Sequence, residues 1–343
     1  MTLRVGLLGA GRIGSVHAAV LAGLDEVGEL LIGDADAGRA AELAARTGGA
    51  RVRPVAAVDD AFASGVDAVV IATATASHAA LIIRAARAGL PAFCEKPVAL
   101  DVAGTAAALR EVSAAGTLLQ IGFQRRFDAG YRAAREALRS GRLGRVHTIR
   151  AVTSDPAPPP AEFLPLSGGL VRDCMVHDFD AVRWLTGREV VEVFARGSDA
   201  GAAMFREAGD VDTAAALLTL DDGTLVTATA TRCNGAGYDV RMELSGELDQ
   251  WAVGLDGRTP MTSAEPGGPA APARPWPGFL ERFAGAYRAE LAAFAGAVAG
   301  GGASPCPGEE GLRALLVAEA CELSRRADRP VRVAEAAAAA GLA

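Results

Sequence analysis

LRVGLLGAGRIG, residues 3–14, is the stretch that decides the fold of the amino-terminal part of this chain. Residues 3–8 form an apolar run of the kind found in parallel strands that are buried on both faces. Gly9, Gly11 and Gly14 follow as G-x-G-x-x-G, and the residues after them have a helical composition. A strand, a glycine-rich turn and a helix in this order predict the first unit of a dinucleotide-binding sheet.

Strand and helix continue to alternate as far as residue 122. Further strands are expected at 29–34, 66–72, 92–94 and 117–121, and helices at 11–24, 36–47, 78–88 and 101–116. Asp36 and Ser77 stand where the side chain of a helix cap is expected, and Asp101 starts the helix that runs to residue 116. Strand–helix–strand repetition at this spacing predicts an α/β Rossmann domain, a doubly wound parallel sheet, over residues 1–122.

The pattern changes in residues 123–343, for which we predict a separate α+β domain. Helices are expected at 127–140, 172–185, 279–299 and 308–327, and strands at 146–153, 190–195, 212–220, 223–231 and 238–245. Asp221-Asp222-Gly223 predicts a hairpin turn, so the sheet should be mostly antiparallel. The Ala-rich tail, residues 334–343, is expected to be a frayed end.

Composition argues against several classes of partner. The chain has 34 basic and 41 acidic residues, a net charge of −7, which disfavours nucleic acid and anionic membrane surfaces. No apolar run is long enough to span a bilayer. The five cysteines are scattered without a C-x-x-C pair. This usage predicts a reducing, cytoplasmic location, with neither disulfides nor a thiolate metal site.

The glycine motif and the acid that follows it predict a site for NAD. Gly9 allows the tight turn, Gly11 lets the backbone approach a pyrophosphate, and Gly14 lets helix and strand pack closely. Asp34 ends the second strand, where a carboxylate accepts hydrogen bonds from ribose hydroxyls and repels the 2′-phosphate of NADP. Asp36 is a competing acid, but it is the better cap. Within the motif, Arg12 and Ile13 are also expected to contact the cofactor.

Lys96 stands out because it is the only lysine among the 34 basic residues. It follows the strand 92–94, at the edge of the sheet where ligands of open α/β sheets bind. A lysine offers a compact ammonium that an arginine cannot replace. We therefore predict that Lys96 acts in the chemistry, although a lone lysine on the surface is the plainer alternative.

Asp173 and His177 are four residues apart on one predicted helix and so share a face. A carboxylate beside an imidazole can orient the ring and raise its basicity, and histidine is the usual base for a hydroxyl proton. A structural Asp–His pair is the alternative. Asp178 and Asp180 raise the further alternative of a metal site, but no second histidine lies near in the sequence, so no metal is predicted.

The motifs GAGRIG (9–14), CEKP (94–97), GFQRRFD (122–128) and RDCMVHDFD (172–180) together resemble those of the Gfo/Idh/MocA oxidoreductases. The resemblance covers essentially the whole chain. Within that family the chain is most similar to inositol 2-dehydrogenases, on the residues TSDPAPPPAEF (153–163), SGGLVRDCMVHDFD (167–180) and GYDVRME (237–243).

The resemblance implies a carboxy-terminal domain with a large open sheet that pairs with another copy, giving a homodimer or homotetramer. It also implies NAD(P)-linked oxidation of a secondary alcohol on a cyclitol or sugar, with Lys96, Asp173 and His177 as the catalytic residues. We expect further cofactor contacts from Thr73, Glu95, Lys96 and Gln124. Arg125, Asp155 and Tyr238 are expected to join the three catalytic residues in binding substrate, and Tyr287 could line the same pocket. Asp155 stands where some inositol dehydrogenases have Asn.

The function expected from these features is NAD-dependent oxidation of a cyclitol, with myo-inositol oxidised to 2-keto-myo-inositol (scyllo-inosose) as the first choice. One alternative is a dehydrogenase or reductase for another polyol or sugar, such as scyllo-inositol or an aldose. Others are an NAD-dependent glycosidase and a non-enzymatic NAD-binding sensor. A sensor has no need for Lys96, Asp173 and His177 together.

Overall fold

The computed structural model describes residues 2–342, which form two compact units. The first contains the residues up to 127 together with 285–312, and the second contains 128–284 together with the residues from 313 onward. Each unit is built on one sheet. No helix in residues 2–342 combines the length and the apolar character needed to cross a membrane.

The strands, in chain order, are β1 (Leu3–Leu8), β2 (Val27–Gly33), β3 (Val52–Pro54), β4 (Ala68–Ile71), β5 (Ala92–Glu95), β6 (Leu119–Gly122), β7 (Val146–Ser154), β8 (Val190–Ser198), β9 (Thr213–Leu220), β10 (Leu225–Thr231), β11 (Asp239–Gly246), β12 (Gln250–Val253) and β13 (Val331–Arg332). The α-helices are α1 (Arg12–Ala22), α2 (Ala37–Thr47), α3 (Val58–Ala63), α4 (His78–Arg87), α5 (Val102–Ala115), α6 (Ala129–Arg139), α7 (Leu164–Ser167), α8 (Val176–Thr186), α9 (Ala203–Glu207), α10 (Phe279–Arg282), α11 (Ala284–Gly300), α12 (Gly308–Ala327) and α13 (Val333–Ala339).

The first unit has a six-stranded sheet in the order β3-β2-β1-β4-β5-β6, and every pair of neighbouring strands is parallel. This confirms the doubly wound sheet. Strands β2 and β3 lie on one side of β1, and β4 to β6 lie on the other side, so the strand order reverses between β1 and β4. The carboxyl ends of these two strands form the crevice where such sheets bind ligands. The sequence patterns missed only the short elements β3 and α3 in this sheet region.

Helix α11 belongs to the core of the first unit, although it lies far along the chain. Leu291 and Phe294 are buried with the β1 and β2 side chains. The ring centroid of Phe294 lies 5.9 Å from that of Phe93 on β5. The compact units therefore differ from the simple division after residue 122. Helical periodicity shows that α11 has an apolar face, but it does not show which sheet that face covers.

The second unit has a seven-stranded sheet in the order β12-β11-β7-β10-β9-β8-β13. Only β7 and β10 pair in parallel, so the sheet is mostly antiparallel, as predicted. The turn at Asp221-Asp222-Gly223 joins β9 to β10, and Gly223 has a positive φ of 85°. Buried and exposed residues alternate along β9 and β10, so one face of these strands packs inward and the other is exposed.

Two local expectations were wrong. Ser77 does not cap α4, because it already has helical dihedral angles, and its hydroxyl donates to the carbonyl of Ala74 instead. The tail is not wholly frayed, because residues 333–339 form α13, in which Ala336 is buried. Asp36 and Asp101 do cap their helices, accepting hydrogen bonds from the backbone N–H groups of Gly38 and Gly104.

Candidate active site

The glycine loop between β1 and α1 has the geometry that the motif predicts. Gly9 has a φ of 106°, and an added Cβ would lie 2.5 Å from the carbonyl oxygen of Ala72. A Cβ on Gly14 would lie 2.1 Å from the carbonyl oxygen of Gly9, so these two glycines allow close packing. Gly11 differs, because a Cβ there would meet nothing within 4 Å. Gly11 thus lies beside open space, where the motif places a pyrophosphate.

Gly11 is also the N-cap of α1, and no side chain caps the helix or places an acid in its first turn. The N–H groups at this end of an eleven-residue helix therefore remain available to an anion. Arg12 is exposed and Ile13 is half-buried at the same end. The loop has the open space and the donors that a dinucleotide phosphate needs.

Asp34 is held directly beside this loop. Its Oδ2 accepts a hydrogen bond of 2.7 Å from the backbone N–H of Ala10, and its Oδ1 accepts one of 2.9 Å from the backbone N–H of Asp36. The side chain remains half-exposed after β2. Each carboxylate oxygen can accept more than one hydrogen bond, so Asp34 retains capacity for ribose hydroxyls. These contacts fit the adenosine end of NAD.

The ends of β4 and β5 lie at the same carboxyl edge of the sheet. Thr73 follows β4, and Lys96 follows β5 as a half-buried residue with a cis peptide bond to Pro97. His78, which is buried, lies 3.0 Å from the carbonyl oxygen of Thr73 and 2.8 Å from that of Pro97. Both partners are acceptors, so a neutral ring can donate to only one of them and the imidazolium to both. His78 therefore links the two segments structurally.

Residues Gln124, Arg125 and Arg126 form a 3₁₀ turn after β6, and all three are buried. Arg126 donates a 2.7 Å hydrogen bond to Glu310. Both arginines precede a helix, where basic residues are often ordinary solvent-exposed charges. Their burial excludes that interpretation, because charged side chains are rarely enclosed without specific partners.

The sequence predicts that Asp173 and His177 lie on one continuous α-helix. This prediction was wrong, because residues 171–175 form a π-helical turn before α8 begins. Asp173 belongs to the π turn, and His177 to the first turn of α8. Both side chains are half-buried. Single π turns are frequent at functional sites. Asp178, the alternative acid, is buried and accepts a hydrogen bond of 2.8 Å from Thr153 on β7.

Arg232 links two of the residues selected from the sequence. It follows β10 and is only 4% exposed. One guanidinium nitrogen donates to Asp155 at 3.0 Å and another to Asp173 at 2.7 Å. The Sγ of Cys174 lies 3.8 Å from the same Asp155 oxygen.

Burial lowers the pKa of Arg232. Its electrostatic interactions with Cys174, Asp173 and Asp155 raise that pKa by a larger amount, so the net shift is upward. The guanidinium is therefore a permanent cation between two carboxylates. The sequence reasoning missed Arg232, because one arginine among 33 carries no signal of its own. The only available sign was its place between an alternating strand and the loop that precedes Tyr238.

Tyr238 and Tyr287 are both buried, and they belong to different units. The backbone N–H of Tyr238 donates to the carbonyl of Trp276 at 3.0 Å. The ring of Tyr287, on α11, lies edge to face with that of His17, with the centroids 6.0 Å apart. Tyr287 therefore packs within the first unit.

Family models match both parts of the chain. Residues 3–123 match the oxidoreductase family with an NAD-binding Rossmann fold, and residues 131–250 match the GFO/IDH/MocA C-terminal domain. The chain belongs to the Gfo/Idh/MocA oxidoreductase family. Its first unit is accordingly the NAD-binding Rossmann fold of that family, and the glycine loop and Asp34 are the features that suit the cofactor.

Three known proteins show how far the similarity extends. A myo-inositol dehydrogenase of Streptomyces leeuwenhoekii is 40% identical, with 92% of this chain and 96% of that protein covered. The structure of a probable dehydrogenase from Thermotoga maritima superimposes with a TM-score of 0.90 at 34% identity, covering 97% of this chain and all of that one. A scyllo-inositol dehydrogenase from Lactobacillus casei with bound NAD(H) and scyllo-inositol gives 0.88 at 28% identity, covering 97% and 100%.

Proposed function

We propose that this protein oxidises a secondary hydroxyl of a cyclitol with NAD, and that its substrate is myo-inositol, which becomes 2-keto-myo-inositol. The observation that carries the proposal is the 40% identity, over nearly the whole chain, to a myo-inositol dehydrogenase. The residues selected for the chemistry, Lys96, Asp173 and His177, are consistent with it, because alcohol oxidation needs a proton acceptor and a group that stabilises charge on oxygen.

The proposed mechanism divides these tasks among the three side chains. Bound NAD supplies the acceptor for the hydride that leaves the ring carbon. His177 takes the proton from the hydroxyl on that carbon, so that the C–O bond becomes a carbonyl. Lys96 donates a hydrogen bond to the same oxygen and stabilises the negative charge that develops there. Asp173 orients the imidazole, with its own carboxylate held by Arg232.

Substrate binding is assigned to Arg125, Asp155 and Tyr238 in addition to the three catalytic residues. Thr73, Glu95, Lys96 and Gln124 are assigned to the cofactor, with the glycine motif and Asp34. The ion pair of Arg232 with Asp155 and Asp173 supports a neutral, hydroxyl-rich substrate. Two carboxylates with one guanidinium offer acceptors for sugar-like hydroxyls and only a small net charge.

Scyllo-inositol is the second candidate substrate. Its support is the similarity to the scyllo-inositol dehydrogenase of Lactobacillus casei, whose structure contains that cyclitol. Myo- and scyllo-inositol differ in the orientation of one hydroxyl, so the same chemistry serves both. Asp155 is the residue that we expect to influence the choice, because it is charged where some inositol dehydrogenases have a neutral Asn.

A panel of polyols assayed by the absorbance of NADH tests the proposal. It includes myo-inositol, scyllo-inositol, several aldoses and a glycosidic substrate, each with NAD and NADP. We expect the highest kcat/KM with myo-inositol and NAD. Turnover of the aldoses or the glycoside in preference to both inositols contradicts the proposed substrate, and binding of NAD without any turnover favours a sensor.

We also propose that the protein is cytoplasmic and forms a homo-oligomer. The exposed face of β9 and β10 contains Leu217 and Leu225, each 45% exposed, among Thr and Ala side chains. An uncharged, partly apolar sheet face of this kind suits a second copy of the chain. The second copy would pair through this face, giving a homodimer or a homotetramer.

A further inference from the structure

Three ionisable side chains meet in the interior of the first unit, away from the glycine loop. His17 on α1 is completely buried, and its Nε2 lies 2.7 Å from Oε1 of Glu95 at the end of β5. Glu290 on α11 is also completely buried. The ligand-type atoms of His17, Glu95 and Glu290 all lie within 4.8 Å of one another. We call these three residues the buried triad.

The carboxyl group of Glu290 lacks the partners that a buried carboxylate needs. Neither of its oxygens accepts a hydrogen bond from any residue in the described part of the chain. The side chain of Gln120 donates to the backbone carbonyl of Glu290, at 2.9 Å, and not to its carboxyl group. A buried carboxylate without donors is unfavourable, because nothing replaces the water that it loses.

The titratable groups that face Glu290 explain which form it adopts. Glu95 faces it from β5 and His17 from α1, while Tyr287 on its own helix packs against the His17 ring. Burial, and then the charge of Glu95, raise the pKa of the Glu290 carboxyl well above its usual range. Two carboxyl groups that lie this close cannot both be ionised without a large cost, so one of them retains a proton.

We propose that Glu290 is a protonated acid that donates a hydrogen bond to Glu95, and that Glu290 and His17 together position Glu95 and the adjoining Lys96. This inference rests on the proposed function of Lys96. Neutral His17 suffices as the second donor, because its Nε2 points to Glu95 and its Nδ1 has no hydrogen-bond partner among the described residues. The buried triad then has a net charge of −1.

Glu95 is well placed to transmit this positioning. A Cβ on Gly122, which pairs with Glu95 in the sheet, would lie only 2.9 Å from the Glu95 Oε2. The Glu95 carboxylate therefore packs against the backbone of β6 on one side and contacts His17 on the other. Because Lys96 is the next residue, a displacement of Glu95 moves the backbone from which the ammonium extends.

A divalent cation is the alternative occupant of such a set of ligands, and one distance argues against it. Two ligands that bind one Zn²⁺ at about 2.1 Å lie roughly 3.4 Å apart in tetrahedral geometry. The 2.7 Å between His17 and Glu95 is instead a hydrogen-bond distance. The geometry is that of a shared proton.

Two substitutions at position 290 test the inference. Glu290→Gln keeps the size and an N–H donor toward Glu95, whereas Glu290→Met keeps the volume and removes the donor. With the best polyol substrate, we expect Glu290→Gln to retain most of kcat and Glu290→Met to lose about tenfold or more, with little change in the Kd for NAD. Leu291→Val, a change of a buried neighbour on the same helix, should retain normal kcat.

The pH dependence separates positioning from simple packing. As the pH rises and Glu290 ionises, the wild type should lose activity along a limb that Glu290→Gln lacks. A carboxyl whose pKa is raised in the folded state contributes stability at low pH and loses it as the pH rises through the folded pKa. The Tm of Glu290→Gln relative to the wild type should therefore increase as the pH rises above the ordinary range of a glutamate carboxyl.

Infrared spectroscopy measures the proton directly, without any substrate. The difference spectrum between wild type and Glu290→Gln should contain the C=O band of a protonated carboxylic acid at neutral pH. Absence of that band refutes the proposal that Glu290 is protonated. A stoichiometric metal ion in the purified protein also refutes it and favours a bound cation instead. Equal loss of kcat in Glu290→Gln and Glu290→Met refutes the positioning role. Because the band is independent of turnover, failure of every polyol would count against the proposed function alone.

Discussion

At the scale of single residues, Lys96 gives the clearest sequence evidence for a catalytic role, because the other 33 basic residues are arginines. Lys96→Arg keeps the charge but replaces a compact ammonium with a planar fork. We expect it to lose more than about nine-tenths of kcat while the Kd for NAD remains close to normal. Steady-state kinetics together with NAD titration check this. If the variant retains more than about a tenth of kcat, Lys96 contributes only its positive charge, and the proposed catalytic role is wrong.

His177 is the residue to which we assign the base. His177→Ala should lower kcat roughly 100- to 10,000-fold, the usual effect of removing a general base, and should remove the rise of activity with pH near neutrality. NAD binding should change little. The pH–rate profile on the best polyol decides the matter. If the mutant keeps the same limb at near-normal amplitude, Lys96 becomes the leading candidate for the base.

Asp173 should matter less than His177, and the structure gives the reason. Its carboxylate is paired with Arg232, so part of its charge is already balanced. Asp173→Asn should shift the acid limb of the pH–rate profile downward, because the imidazolium loses a nearby anion. The shift should be smaller than an unpaired carboxylate would give. The same profile, measured on Asp173→Asn, checks this, and an upward shift excludes the role.

At the scale of elements, we expect the turn that follows β2 to set the preference for NAD over NADP. Asp34 should favour NAD over NADP by about 100-fold in kcat/KM, from two ribose hydrogen bonds and repulsion of the 2′-phosphate. Asp34→Ser with Ala35→Arg should narrow this gap, since a guanidinium attracts the phosphate. Comparable kcat/KM with both cofactors in the unmodified protein would contradict the role of Asp34.

The contact between the end of β10 and the π turn depends on one buried guanidinium, that of Arg232. Arg232→Gln leaves Asp155 and Asp173 without their shared cation and should cost about 3 kcal/mol of unfolding free energy. Arg232→Lys can reach only one carboxylate at a time and should be intermediate. Denaturant unfolding checks both. Arg196→Gln breaks the exposed pair with Asp328 and is the matched control, with almost no expected effect.

At the scale of the whole molecule, the proposed pairing of sheets has a simple test. Leu217→Glu together with Leu225→Glu places charge on the exposed face of β9 and β10 and should convert the oligomer to a monomer, because buried like charges repel. Sedimentation velocity measures the mass. Leu248→Glu, on a residue 73% exposed between β11 and β12, adds the same kind of charge elsewhere and should leave the mass unchanged. A monomeric wild type contradicts the proposal.

The sequence by itself determined the features that depend on near neighbours in the chain. Apolar runs, glycine spacing and helix caps act over a few residues, so the Rossmann order of strands, the glycine loop and the cap at Asp36 were all predictable. The hairpin at Asp221–Gly223 and the alternation of β9 and β10 belong to the same class. Ser77 failed as a cap because its neighbours had already begun a helical turn.

Only the tertiary structure decided which distant residues meet. The buried triad joins positions 17, 95 and 290, and Arg232 joins positions 155 and 173. Helix α11 likewise packs on the first sheet, although the long stretch of chain that precedes it, residues 128–284, belongs to the second unit. Local periodicity shows that a helix has an apolar face, but which surface covers that face depends on packing across the whole fold. Burial, and with it the protonation of Glu290, follows from that packing and has no sequence signal.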